Sequence, residues 1–333
     1  MLLGVLDIGS NAAQLQVFEV RPGAPPSPTH AVKEPTLLGE AFNPDGAIDT
    51  AGVERVIRAV NRAMRAARRL GVDRLFVFTT SAVRDAANRE LILDRVEAAA
   101  GIRPQFLTGV DEGRMTYVAV HQWYGWSAGR QLVLDIGGGS MEIVFGGDSE
   151  PELSMSLPLG AGRLTRAFLP DDPPAREQLA ALRGHVRATL REAADRLLWE
   201  GAPDQVVGTS RTFEQLARLS GSPAQREGPF VRRSVTVQDL ETWIPRLAGL
   251  RSRERAKLRG VSRSRSRQIL AGAMVAKATM KALNVDSVDV CPWALREGIV
   301  LHYLQTMRNE SVDFPLRPLN GAAYQADRLG RAG

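Results

Sequence analysis

The residues best suited to chemistry in this 333-residue chain lie in a repeated pentapeptide. Val5-Leu6-Asp7-Ile8-Gly9 recurs unchanged as Val133-Leu134-Asp135-Ile136-Gly137. Each copy ends an apolar run that reads as a buried strand. Each opens into small residues, Ser10-Asn11 in the first and Gly138-Gly139-Ser140 in the second. An acid followed by a glycine turn suits phosphate binding. Gly9, Gly137, Gly138 and Gly139 let backbone N–H groups come close to an anion, and Ser10, Asn11 and Ser140 add donors. The carboxylates of Asp7 and Asp135 can hold a metal ion or its water. A third loop, Gly208-Thr209-Ser210-Arg211, leads into a helix whose N-terminus attracts anions, although capping by Thr209 or Ser210 explains the same residues.

Three more side chains belong with these loops. Glu112 stands at the apparent start of a helix after an apolar strand, a place where the helix dipole stabilises an acid. Glu142 follows the second loop, and strand alternation puts it on the face of Val144, opposite Met141, Ile143 and Phe145. That position fits a cleft or a solvent-facing strand. Arg84, beyond Thr80-Ser81, can grip phosphate oxygens in a two-pronged way or pair with Asp85.

The elements that must position these groups follow from periodicity. A second strand is expected after each loop, around Leu15 to Val20 and Met141 to Phe145. A helix is expected over Thr50 to Leu70, then a strand over Arg74 to Phe78. Further on, helices are expected near Arg176 to Trp199, from Thr212, over Gln268 to Leu283 and over Leu295 to Met307. Strands are expected at Gln205 to Val207 and Ser287 to Val290. Pro22 to Pro28 reads as a surface loop, and the end from Asn320 as a loose tail. A strand after each Asp-Ile-Gly turn disfavours a dinucleotide-binding loop, and no Walker A Gly-Lys-Ser/Thr occurs. The repeat and the alternating elements give an α/β chain of two halves related by duplication, with a cleft between them.

Composition limits the rest. An apolar share of 44% supports two ordinary cores. No apolar run reaches the ~18 to 20 residues that span a bilayer, and the start lacks the pattern of a signal peptide, so a cytoplasmic protein without membrane contact is expected. The single cysteine, Cys291, can form no internal disulfide and reads as a packed apolar side chain. The net charge is +6, and Arg246 to Gln268 holds nine Arg or Lys against one acid, Glu254. A polyanion or plain solvent satisfies such a face. Nucleic acid is disfavoured because aromatic residues are only 6% of the chain and do not interleave with the run.

Six ordered motifs make the chain resemble the exopolyphosphatase and guanosine pentaphosphate phosphohydrolase family, within the actin, sugar kinase and Hsp70 superfamily. They are Leu6-Asp7-Ile8-Gly9-Ser10-Asn11, Thr79 to Ala86, Thr108 to Arg114, Asp135 to Glu142, Pro158-Leu159-Gly160 and Leu295-Arg296-Glu297-Gly298. The resemblance implies two actin-like (ribonuclease H-like) domains: residues 1–126, joined by a C-terminal helix near 300–312, and residues 127–299. A tail over 313–333 follows, and the active site lies in the interdomain cleft. It assigns Glu112 as general base and gives Glu142, with Asp135, the water or its divalent ion. Mg²⁺ is expected because oxygen ligands and phosphates suit it and no His or Cys cluster offers a zinc site; Asp7, Asp135 and Glu142 are the metal candidates.

By the same resemblance the reaction is release of orthophosphate from polyphosphate. Short chains are favoured, because the chain looks like the short actinobacterial-type branch without a C-terminal helical domain. Hydrolysis of guanosine pentaphosphate and non-catalytic polyphosphate or alarmone binding remain alternatives, and a homodimer is compatible. Departures from the family pattern occur at Asn11-Ala12-Ala13-Gln14, Met141, Arg211 and Ser262 to Gln268. They bear on specificity more than on reaction type.

Overall fold

The computed structural model describes residues 1–21, 24–307 and 314–321. Contacts divide the chain into two units, residues 1–111 with 299–333, and residues 112–298. In chain order the first unit begins with β1 (Leu2–Ile8), β2 (Ala12–Glu19), β3 (Pro28–Pro35), α1 (Thr50–Leu70), β4 (Arg74–Thr79), α2 (Ser81–Arg84), α3 (Arg89–Ala100) and β5 (Gln105–Phe106). Next come α4 (Gly109–Tyr124), β6 (Gln131–Ile136), β7 (Met141–Gly146), β8 (Leu153–Leu157), α5 (Ala161–Phe168), α6 (Arg176–Glu200), β9 (Gln205–Gly208) and α7 (Arg211–Leu219). The second unit closes with β10 (Ser234–Thr236), α8 (Val237–Ala248), α9 (Ser252–Arg255), α10 (Ile269–Ala282) and β11 (Ser287–Val290). The chain then returns to the first unit through α11 (Leu295–Thr306) and β12 (Leu319–Asn320).

The two sheets share a plan. One runs β12-β4-β1-β2-β3, with β5 beside β4, and the other runs β10-β11-β9-β6-β7-β8. In each, the strand bearing Asp-Ile-Gly pairs antiparallel with the next strand and parallel with a later one: β1 with β2 and β4, β6 with β7 and β9. The pentapeptide repeat is therefore a repeat of position in the sheet. Helix α1 has its expected bounds because Val53, Val56, Ile57, Val60 and Met64 form one buried stripe, with Asp49 capping its start on Gly52 N.

The first boundary differs from the expected 126/127. Helix α4 belongs with the second sheet from Glu112 onward, because Tyr117 and Val120 cluster with Val133, Val144 and Val207. Helices α5, α6, α7, α8 and α10 supply the apolar residues of the opposite face, so β7 is buried on both sides.

The expected tail is in part ordered. Phe314 stacks edge-on against Phe76 at 5.4 Å, Leu316 is buried, and β12 pairs with β4. Apolar Phe314 and Leu316 have a core to join, which a tail lacks. Residues 308–313 and 322–333, including the end of the helix expected to 312, lie outside the described residues.

Candidate active site

Both Asp-Ile-Gly hairpins close in the same way. Gly9 N donates to Ala12 O at 3.1 Å, and Gly137 N to Ser140 O at 3.0 Å. A Cβ on either glycine would stand 3.3 Å from that carbonyl, so the turn favours glycine by close approach.

The loops are also held alike. In the first unit Thr36 Oγ1 donates to Gly9 O (2.7 Å), Leu38 N to Ser10 O (2.7 Å) and Thr36 N to Asn11 O (3.1 Å). In the second unit Ala161 N donates to Gly137 O (2.9 Å), Arg163 N to Gly138 O (2.9 Å) and Arg163 Nε to Gly139 O (2.7 Å). In a trans peptide the N–H points opposite to its C=O. With three successive carbonyls turned to α5, the amides of Gly138, Gly139 and Ser140 point the other way, the arrangement that cradles an anion. Gly160 permits this contact, since a Cβ there would lie 2.3 to 2.5 Å from Gly139 and Ser140 backbone atoms. The motif Pro158-Leu159-Gly160 is thus the seat of the second loop.

One cross-strand difference between the duplicated hairpins bears on chemistry. Asp7 faces Gln14 across β1 and β2, whereas Asp135 faces Glu142 across β6 and β7. Directly opposed residues share a face, so only the second unit sets two carboxylates side by side. Glu142 is 4% exposed and accepts a hydrogen bond from Ser156 Oγ at 2.8 Å, which rules out a solvent-facing strand acid. Asp135 accepts from Thr209 Oγ1 at 2.6 Å.

Glu112, 8% exposed, lies in the first turn of α4. The next residue, Gly113, lies so close to the sheet that a Cβ would be 2.7 Å from Ser154 Oγ, 2.9 Å from Val144 Cγ2 and 3.7 Å from Glu142 Cβ. Glycine at 113 therefore sets the helix start down beside Glu142. Thr108 Oγ1 bonds Asp111 Oδ2 (2.5 Å) and Asp111 N (3.1 Å), fixing the turn before it.

The third loop proves more structural than expected. A Cβ on Gly208 would meet the Phe213 ring at 2.5 Å, which makes it a packing glycine. Ser210 caps α7 through Phe213 N and also accepts from Ile136 N, while Thr212 Oγ1 donates to Ile136 O. Thr209 alone reaches an acid of the site. Arg211 bonds Glu214 at 2.5 Å. In the first unit Arg84 makes the pairing with Asp85 at 3.2 Å, and its Nη1 donates to Leu107 O at 2.7 Å. Both contacts fix the plane of its guanidinium. Ser10 Oγ accepts from Asn11 Nδ2 at 3.2 Å.

One residue escaped the sequence reading. Arg265 ends a 3-10 turn, Arg263–Arg265, held between Ser262, bonded by Gln215 Nε2 at 3.0 Å, and Gln268, whose Oε1 lies near Gly162 beside the second loop. Burial pushes its guanidinium below the ordinary arginine range; the Arg211 charge adds to this, and Asp135 and Glu214 oppose it. Among the described residues its guanidinium has no hydrogen bond or ion pair, while its backbone N donates to Ser262 O at 3.0 Å. Only its place in the charge run, directly before apolar α10, hinted at it. In Leu295-Arg296-Glu297-Gly298, by contrast, Glu297 caps Ala294 N at 2.9 Å, and Gly298 lets α11 cross α4 at Met115 O.

No group of three or more His, Cys, Asp or Glu able to hold a metal occurs among the described residues. The adjacent Asp135 and Glu142 fit an ion of the Mg²⁺ type, which takes one or two carboxylates and completes its shell with water and phosphate oxygens. No helix among the described residues is long and apolar enough to cross a membrane.

These features define a two-unit α/β protein with a glycine-rich hairpin turn in each unit and a pair of facing carboxylates in the second. The chain belongs to the Ppx/GppA phosphatase family, whose model matches residues 16–307. It is 47% identical to Exopolyphosphatase 1 of Mycobacterium tuberculosis, over all of this chain and 98% of that protein. A crystal structure of the Aquifex aeolicus family member superposes with a TM-score of 0.75 at 27% identity, covering 93% of this chain and 99% of that one. An exopolyphosphatase structure from Cytophaga hutchinsonii gives a TM-score of 0.83 at 22% identity, covering 92% and 98%, and shares the fold.

Proposed function

We propose that the protein is an exopolyphosphatase that hydrolyses the terminal phosphoanhydride of inorganic polyphosphate. The observation that supports this reading is the close approach of Gly113, the residue after Glu112, to Glu142, in the unit that also holds the turn of Gly138, Gly139 and Ser140. The 47% identity to a protein named Exopolyphosphatase 1 supports it.

The chemistry follows from what each group can do. The cradle amides hold the terminal phosphoryl oxygens, where charge is stabilised as the bond breaks. Glu112 takes a proton from the attacking water, oxygen bonds to the terminal phosphorus, and the bridging P–O bond breaks to release orthophosphate and a shortened chain. Glu142, oriented by Ser156, positions the water. Asp135, held by Thr209, with Glu142 would ligate Mg²⁺, which when bound neutralises phosphate charge. On the first unit, Arg84, Ser10 and Asn11 are candidate phosphate-binding groups in their own right.

The test is phosphate release from polyphosphates of graded length and from guanosine pentaphosphate, with Mg²⁺ or with a chelator. Release from polyphosphate that falls about 10²- to 10⁴-fold in Glu112→Gln, the range expected for a lost general base, is the expected result. Wild-type rates in that variant, or release from guanosine pentaphosphate alone, would overturn the reading.

A further inference from the structure

In the second unit α6, α8 and α10 enclose a groove of about 310 Å³. Its origin lies in α10, where Met274, Ala278 and Ala282 follow one another at four-residue spacing. The two alanines are too short to fill the space between helices, and Val186 of α6 and Ile244 of α8 form apolar walls. The rim is cationic. Arg183 and Arg187 stand one turn apart on α6, and Lys277 and Lys281 one turn apart on α10. Glu241 takes both lysines, at 3.3 and 2.8 Å, and they hold its carboxyl below the usual range. Arg183 and Arg187 have no ion pair among the described residues. None of these groups belongs to the phosphate loops or the carboxylate pair.

We propose that this groove is a binding site for a nucleoside triphosphate, with the base on the apolar floor and the phosphates on the rim. An apolar slot at the small end of the ~300–1,000 Å³ range of ligand sites suits one planar ring. The Met274 thioether makes favourable contacts with aromatic rings. The guanidinium pair of Arg183 and Arg187, one turn apart, can grip the oxygens of a phosphate chain in a two-pronged way. A bare polyphosphate would leave the apolar floor without a partner. An acyl chain is a poor occupant of a slot bracketed by cations at a spacing of about 5.4 Å, one helical turn.

The probe is N-methylanthraniloyl-ATP, titrated by fluorescence onto the full chain, with unlabelled ATP, tripolyphosphate and phosphatidylglycerol vesicles as competitors. Saturable binding is expected, displaced by ATP at concentrations well below those needed with tripolyphosphate. An Arg183→Ala/Arg187→Ala double variant, on an exposed helix face, is expected to weaken binding about tenfold or more. Ala278→Leu, which fills the slot without changing charge, should weaken it similarly, and both variants should release phosphate from polyphosphate at wild-type rates. Wild-type affinity in the double variant would place the nucleotide elsewhere, at the phosphate loops for example, and overturn the proposal. Equal displacement by tripolyphosphate would reduce the groove to an anion patch, and displacement by vesicles would make it a lipid contact. Either result refutes nucleotide recognition.

Discussion

Replacing Gly160 with alanine tests whether the seat of the second loop matters to catalysis. Its backbone angles, φ −68° and ψ 139°, are open to any residue, so the substitution carries no torsional penalty. The difficulty is space. The new methyl would lie 2.3, 2.4 and 2.5 Å from the Gly139 carbonyl carbon, Ser140 N and Gly139 N, whereas ordinary contact begins near 3.4 Å. Loop and helix start must therefore part by about 1 Å, which weakens the bonds from Ala161 and Arg163 that turn the loop carbonyls. Overpacking of this kind costs about 1–3 kcal/mol of stability. A 1 Å misplacement of a catalytic group costs on the order of 10²-fold in rate, or about 2.7 kcal/mol. The assay is kcat/KM for phosphate release, with a thermal melt on the same samples. Gly162→Ala, 3.0 Å from Gly138 O, should show a smaller loss. Gly184→Ala, with nothing within 4 Å on α6, should keep full activity and gain up to about 1 kcal/mol. Full kcat/KM and an unchanged melt in Gly160→Ala would refute the account of the loop.

Other expected outcomes are simpler to state. Arg265→Ala should raise KM for polyphosphate about tenfold or more with a smaller change in kcat, and Arg265→Lys should recover part of it; equal losses in both parameters would assign the residue to folding. Burial raises the Glu297 carboxyl above its unfolded value, so its contribution to stability is fully present at acid pH and lost as pH rises. Glu297→Gln keeps the cap on Ala294 N and should melt progressively higher than wild type from about pH 4 upward; a pH-independent difference would contradict this. Burial also pushes the Cys291 thiol up, so iodoacetamide at pH 8 should leave it unmodified in the native protein and label it after denaturation.

How far the sequence carried depends on what each feature rests on. Helix α1, strand β11 and both hairpins follow from local periodicity, and Glu142 falls on the expected face because alternation along β7 needs only its neighbours. Features set by long-range packing were not legible. The allegiance of α4 depends on Gly113 meeting Ser154 and Val144, and the role of Gly160 depends on a loop twenty residues earlier. Gly208 reads as a phosphate-loop glycine until Phe213 is seen against it. Phe314 and Leu316 sit in a Pro-rich stretch without periodicity, so nothing local marks their burial. Arg265 was one of nine similar charges until the turn that carries it was tied down at both ends.

The pairing of β12 with β4 bears on the order in which the protein is made. Residues 112–298 form an uninterrupted unit, whereas the first unit needs Leu319 and Asn320 beside Leu75 and Arg74 and Phe314 over Phe76. At roughly 5–20 residues per second, about ten to forty seconds of synthesis separate residue 111 from residue 299. During that interval the nascent first sheet presents part of the β4 edge and an uncovered Phe76, while the later-encoded unit has everything it requires to fold. The unit that holds the first residues translated is thus the one whose contacts are completed last, at Arg74–Thr79.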